Sequence, residues 1–321
     1  MRPLHAFLAV AVAVIWGVNF VVIEIGLEHF PPLLFAALRF TLVALPAVFL
    51  VPRPAIPARW IVAVGLFLGA GQFGLLFTAM HLGLPAGLSS LVLQAQVIFT
   101  VCFAAMALGE RPGRRQLLGI AVASAGIVVI AFGRGAHVPL PPLLLALGAA
   151  ACWGVANVCI RRAKAPAGPG LLVWSSLVPP LPLLALSGLI EGPDRIRTAF
   201  TTFHLGSLAA LAYVVVLSTF VGFGAWNGLL RRYPTATVAP FTLLVPIVGM
   251  ATARVWLGEQ LSTGELLGGA VVLAGLATLA VRTRQKPADP PPPLAEPRSP
   301  LTGPRPAPAG PLRPLTDRAR P

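Results

Sequence analysis

The sequence predicts an all-α integral membrane protein, with ten transmembrane helices arranged as two inverted five-helix repeats. Three observations lead there. An apolar excess runs almost from end to end, basic residues gather on alternate loops, and short motifs recur at a fixed offset. Of the 321 residues, 56% are hydrophobic and 11% are charged. Soluble domains carry roughly a quarter charged residues. With a mean hydropathy of +0.83, this excludes an ordinary globular domain and a disordered chain. It also argues against a soluble enzyme with a single anchor, because the apolar runs are not confined to one end.

A transmembrane helix needs roughly 20 mostly apolar residues. Ten such runs are present, at 5–25, 33–51, 60–80, 87–108, 115–133, 141–160, 171–190, 206–228, 236–257 and 263–281. Turn residues separate them, among them Pro31-Pro32, Gly83 to Pro85, Pro112-Gly113, Gly192-Pro193 and Pro234. The runs are long and continuous, so they read as helices rather than barrel strands. The first run follows Arg2 like a signal peptide, but it passes through Trp16-Gly17-Val18-Asn19-Phe20 without a persuasive cleavage site. It is expected to stay as the first helix. The organisation expected is a first repeat at 1–133, a second at 134–282, and a disordered Pro/Arg-rich cytoplasmic tail at 283–321.

The net charge of +14 would suggest nucleic acid on a soluble face, but here it sits in short loops. With the N-terminus in the cytoplasm, the cytoplasmic loops hold Arg53, Arg59, Arg111, Arg114, Arg115, Arg161, Arg162, Lys164, Arg231 and Arg232. The other side holds Glu24, Glu28, Glu191, Asp194, Glu259 and Glu265, with basic residues only at Arg134, Arg195, Arg197 and Arg254. This matches the positive-inside rule for an even number of spans with both termini cytoplasmic. The location expected is the plasma or inner membrane.

The two halves repeat. Trp16-Gly17-Val18 recurs as Trp153-Gly154-Val155, and Leu108-Gly109-Glu110 as Leu257-Gly258-Glu259. Gly119 and Gly126 recur as Gly268 and Gly275, at the same offset of 149 residues as the Gly-Glu pair. A half with an odd number of helices forces its copy to enter the membrane from the opposite side. Such inverted repeats can rock about a site at the midplane.

Together with Pro31-Pro32-Leu33, Leu38-Arg39-Phe40, the run Leu84 to Gln96, Val238-Ala239-Pro240 and Leu243 to Pro246, these features resemble the EamA branch of the drug/metabolite transporter superfamily. The resemblance covers residues 5–282 and is most similar to the O-acetylserine/cysteine exporters of that branch. It implies a ten-helix fold and export of small metabolites. The basic, proline-rich tail departs from the pattern.

An unpartnered polar group in the bilayer interior costs several kcal/mol, so polar residues inside the spans are the candidate site. Arg39 in the second span either binds a carboxylate with its guanidinium or snorkels to the interface. Gln94 and Gln96 in helix four, with Ser89, Ser90 and Thr100 nearby, can serve a zwitterion or bond to neighbouring helices. The two glutamines are not expected to touch a substrate together. Trp16 with Asn19, and Trp153 with Asn157, form matching aromatic-polar faces, either as cavity walls or as repeat packing. Gln72, Trp174 and Tyr213 are further substrate-binding candidates, with Ser175, Trp226 and Asn227 behind them. Glu110 and Glu259 read as structural turn residues, and Pro240 and Pro246 as kinks that free carbonyls. The glycines of helices three, five and ten read as packing, with homodimerisation through five or ten as the minor alternative.

The function expected is a secondary exporter of cysteine-pathway amino acids, working by alternating access in the lipid bilayer. Other metabolites of the superfamily are the alternative substrates. No P-loop appears, and no cofactor, metal, catalytic residue or nucleic-acid partner is expected. A membrane-embedded enzyme, the alternative from another class, would need clustered ionisable groups. The five histidines, at His5, His29, His81, His137 and His204, form no spaced pair, and the three cysteines lie inside apolar runs.

Overall fold

A computed structural model describes residues 1–133, 139–165, 168–202 and 204–280. The expected tail, with Arg282, Arg284 and Lys286, and the loop residues Arg134 and His137, lie outside the described residues.

Every expected apolar run is helical, and no strand occurs among the described residues. The helices are α1 (Pro3–Leu27), α2 (Pro32–Val48), α3 (Ala58–His81), α4 (Ala86–Leu108), α5 (Arg114–Gly133), α6 (Leu140–Arg162), α7 (Pro169–Glu191), α8 (Leu205–Arg232), α9 (Ala239–Trp256) and α10 (Thr263–Ala280). A short helix, Pro193–Thr201, lies between α7 and α8. Eight of the ten are long and apolar enough to cross a membrane, and α2 and α10 are shorter apolar helices.

Proline sets the starts. It occupies the first turn of α1, α2, α6 and α7, where its missing N–H leaves nothing unpaired. Glycine sets two equivalent ends. Gly109 after α4 and Gly258 after α9 both adopt φ +67°, the left-handed turn that a side chain resists. The recurring Leu-Gly-Glu motif is thus one turn built twice.

Several helices are irregularly wound. α3 carries a π-helical stretch at Gly65–Gly71 and α8 one at Tyr213–Phe223. α4 tightens to a 3-10 turn at Leu93–Ala95 and α9 begins as one at Ala239–Leu243. α7 is interrupted near Pro179-Pro180.

The packing is reciprocal between the halves. α1 lies against α9 and α8, and α6 lies against α4 and α3. α5 runs along α10, α2 along α7 and α4 along α9. The α5–α10 contact is backbone on backbone: a Cβ on Gly126 would sit 2.6 Å from the Val272 amide nitrogen, and one on Gly275 would sit 2.5 Å from that of Ala123. Gly119, Gly126, Gly268 and Gly275 are therefore used inside one chain.

One end of the bundle is sealed. Phe30, Leu34, Phe35, Phe77 and Met80 are buried where α1 turns into α2. Two carboxylates close that end across the halves. Glu191 accepts the Leu33 amide at 2.7 Å and the Leu34 amide at 3.3 Å. Glu259 accepts the Ala86 amide at 2.6 Å and the Gly87 amide at 3.0 Å. Each fills the first-turn amides that a helix leaves unpaired, with the favourable sign for the helix dipole.

Candidate functional site

Between the halves lies a cavity of about 280 Å³, near the lower end of the roughly 300–1,000 Å³ seen for small-molecule sites. Its wall draws on α1–α4 and α6–α9. Seven of the ten candidate residues border it: Trp16, Asn19, Arg39, Gln72, Gln94, Gln96 and Trp153. Most of the remaining lining is apolar, including Phe20, Phe73, Leu93 and Phe223.

Arg39 does not snorkel. Its side chain is inside the bundle, with the residue only 3% exposed. The guanidinium carbon lies 3.9 Å from the Phe73 ring centre and 5.3 Å from that of Phe40. Aromatic faces attract a desolvated guanidinium, so these two rings hold the cation without neutralising it. Nη2 donates to Thr219 Oγ1 at 3.3 Å, and that hydroxyl donates to the Val214 carbonyl, five residues back in the π-helical part of α8. Nε and Nη1 are buried with no acceptor. Arg39 is the only charged side chain among the residues that border the cavity.

Asn19, 8% exposed, presents a buried Oδ1 with no donor. Trp16 donates Nε1 to the Ser218 carbonyl at 3.1 Å and packs against Trp226 and Phe223. Its ring therefore forms wall, with its polar atom already used.

Both glutamines border the cavity. Residues two apart stand about 160° from one another on a regular helix, and about 120° apart under 3-10 winding. The 3-10 turn at Leu93–Ala95 supplies that change. Gln94 donates Nε2 to the Thr242 carbonyl at 3.3 Å. In a regular helix the donor to that carbonyl would be residue 246, a proline, which has no N–H to give. Gln96 Oε1 accepts from Asn157 Nδ2 at 3.1 Å, and the same Nδ2 donates to Thr100 at 3.0 Å.

The remaining candidates stand elsewhere. Asn157 supports Gln96 from behind the wall. Tyr213 donates its hydroxyl to the Ile15 carbonyl at 2.8 Å, and Trp174 donates Nε1 to the Val51 carbonyl at 3.0 Å, so both tie helices or loops together. Ser90, Ser175 and Trp226 border the cavity, whereas Ser89 is fully buried away from it. Sequence reasoning missed Thr219, Ser218, Phe40, Phe73 and Thr242. A threonine or phenylalanine in an apolar helix carries no signal of its own there.

Glu110 and Glu259 stay out of the cavity and sit at turns. Glu110 pairs with Arg161 at 2.9 Å, both largely exposed. Burial pushes the Glu259 carboxyl above its ordinary value, the two amide bonds pull it down by less, and the Glu265 charge pushes it up. Among the described residues, no three His, Cys, Asp or Glu side chains group as they would around a metal.

The profile of the EamA-like transporter family matches residues 4–132 and 140–281. A protein of Salmonella typhimurium named as a probable amino-acid metabolite efflux pump is 46% identical over 282 residues, covering 86% of this chain and 94% of the relative. A protein of Escherichia coli K12 with the same name is 41% identical over 275 residues, covering 84% and 92%. A probable terminal-alkyne amino-acid exporter of Streptantibioticus cattleyicolor is 29% identical over 284 residues, covering 85% and 92%. One crystal structure aligns with a TM-score of 0.57 at 22% identity, over 88% of this chain and all of that one, which shows likeness of fold alone. A polytopic helical chain with a walled internal cavity, matched in both halves by one profile and over most of its length by proteins named as probable efflux pumps, belongs to the EamA-like transporter family.

Proposed function

We propose that the protein is a secondary exporter of small amino-acid metabolites, of the cysteine and O-acetylserine type, that works by alternating access across the plasma or inner membrane. The observation that carries this is the convergence of seven intramembrane polar or tryptophan residues on one cavity between the halves. Relatives named as amino-acid metabolite efflux pumps support the substrate class. The reciprocal helix pairs and the twice-built Leu-Gly-Glu turn support ten spans in two inverted repeats, at 1–133 and 134–282.

The loop charges support an orientation with both termini in the cytoplasm. In that orientation the sealed end, with Glu191 and Glu259, is external. A tag placed after Arg282 is then inaccessible to external reagents in intact cells, and external labelling overturns the topology. The deciding experiment is efflux of labelled cysteine and O-acetylserine from proteoliposomes, with and without a proton gradient. Saturable efflux supports the reading, and gradient stimulation adds proton coupling. No efflux of either compound by correctly inserted protein moves the substrate elsewhere in the family.

A second reading keeps the transporter and changes the cargo to amino acids with larger apolar side chains. The apolar lining favours it, and so does the relative named for a terminal-alkyne amino acid.

A further inference from the structure

The cavity leaves a specific set of hydrogen-bonding valences open. On the donor side are Nε and Nη1 of Arg39, both without an acceptor, and the Nη2 hydrogen that Thr219 does not take. Nη2 shares one edge of the guanidinium with Nε and the other with Nη1, so one paired edge stays free. The guanidinium is held in place by Thr219 at Nη2 and by the Phe73 and Phe40 rings beside it. A preorganised guanidinium edge with two parallel N–H groups matches the two oxygens of a carboxylate. Gln96 adds a second kind of donor. Its carbonyl is taken by Asn157, so its Nε2 is the end left for a ligand.

On the acceptor side are Oδ1 of Asn19, buried and unpaired, and Oε1 of Gln94, whose Nε2 is already bonded to Thr242. Side-chain carbonyls accept from an ammonium but offer nothing to a carboxylate. Buried polar atoms left without partners are costly, and the residues that carry them border the internal cavity. A ligand that satisfies all of them carries one carboxylate and one group rich in N–H.

We propose that this cavity binds an α-amino acid as a zwitterion in one fixed polarity, with its carboxylate on the free edge of Arg39 and its ammonium on the carbonyls of Asn19 and Gln94. The side chain then faces the apolar and aromatic remainder of the wall. This deepens the exporter reading and rests on it. It makes a distinction that an apolar pocket alone does not: both charged groups of the amino acid must be free. O-acetylated serine qualifies, whereas its N-acetylated isomer has lost the ammonium and the methyl ester has lost the carboxylate.

The test is binding to the purified full-length protein, read from the fluorescence of Trp16, Trp153 and Trp226 on the cavity wall. The ligands are O-acetylserine, cysteine and leucine, each as the free amino acid, the N-acetyl derivative and the methyl ester. The esters are expected to bind at least about 100-fold more weakly, because a site built on a buried charged donor rejects a ligand that leaves it unpaired. The N-acetyl derivatives are expected to bind about 10-fold more weakly, since neutral acceptors contribute less. Arg39→Lys keeps the charge but loses the paired edge, and is expected to weaken the free amino acids while leaving the esters unchanged.

If no free amino acid binds more tightly than its ester, the proposal is overturned. Equal binding of free and N-acetylated ligands overturns the placement of the ammonium. Labelled efflux without any fluorescence change overturns the cavity as the site. If leucine shows the expected ranking while cysteine and O-acetylserine neither bind nor leave vesicles, the zwitterion site stands and the cysteine-type cargo falls.

Discussion

Removing the Glu191 carboxylate tests whether the sealed end is held by cross-repeat capping. The residue ends α7, yet it bonds to the first turn of α2, at Leu33 and Leu34. Both leucines are buried, at 7% and 1% exposure, so water does not readily replace the lost acceptor. A buried donor stripped of its partner costs about 1–3 kcal/mol. The bond at 2.7 Å belongs in the upper part of that range and the one at 3.3 Å in the lower part. Together, Glu191→Ala is expected to weaken this closure by about 3–5 kcal/mol. At 1.4 kcal/mol per tenfold, the ratio of sealed to opened molecules falls roughly 100- to 4,000-fold.

The assay is external labelling of a cavity reporter, Leu76→Cys, by a membrane-impermeant maleimide, with Cys102, Cys152 and Cys159 replaced by serine. The labelling rate is expected to rise by the same factor in Glu191→Ala. It is expected to rise less in Glu191→Gln, which keeps one acceptor. An unchanged rate in Glu191→Ala, with the protein normally inserted, refutes the capping account of closure.

Gly126→Val and Gly275→Val each force a side chain into backbone about 2.5–2.6 Å away and are expected to cost at least about 1–3 kcal/mol by overpacking. Thermal melting in detergent reads this, and Gly113→Ala, with nothing within 4 Å of its Cβ, serves as the unaffected control. Arg161→Ala breaks a pair whose side chains are 43% and 49% exposed, so screening keeps the loss below about 1 kcal/mol and transport near normal. Because burial holds the Glu259 carboxyl above its ordinary value of 4.5, the sealed conformation binds a proton more tightly than one in which water reaches this group. External acidification through the window upward from 4.5 therefore slows Leu76→Cys labelling relative to an exposed reporter, and Glu259→Gln removes the dependence. Gln96→Leu and Gln94→Leu are each expected to impair efflux with abundance intact; normal efflux by either variant removes that residue from the site.

What the sequence determined by itself was local. Long apolar runs must be helical in a membrane, because each helix satisfies its own backbone, and proline and glycine mark the ends. Polar residues stand out inside such runs because they are costly there. That was enough to single out Arg39, Asn19, Gln72 and the two glutamines, all of which border the cavity. It was not enough for Tyr213 and Trp174, whose polar tips bond to carbonyls of other segments instead.

Only the tertiary structure decided how these groups are used. Thr219 meets Arg39 across 180 residues, and Asn157 meets Gln96 across 61. Gln94 finds the Thr242 carbonyl on another helix, 148 residues away. The 3-10 turn that brings both glutamines to one wall is a departure from regular helix, which a fixed helical period does not register. Which valences stay open for a ligand depends on which are consumed across helix contacts, and those contacts join residues distant along the chain.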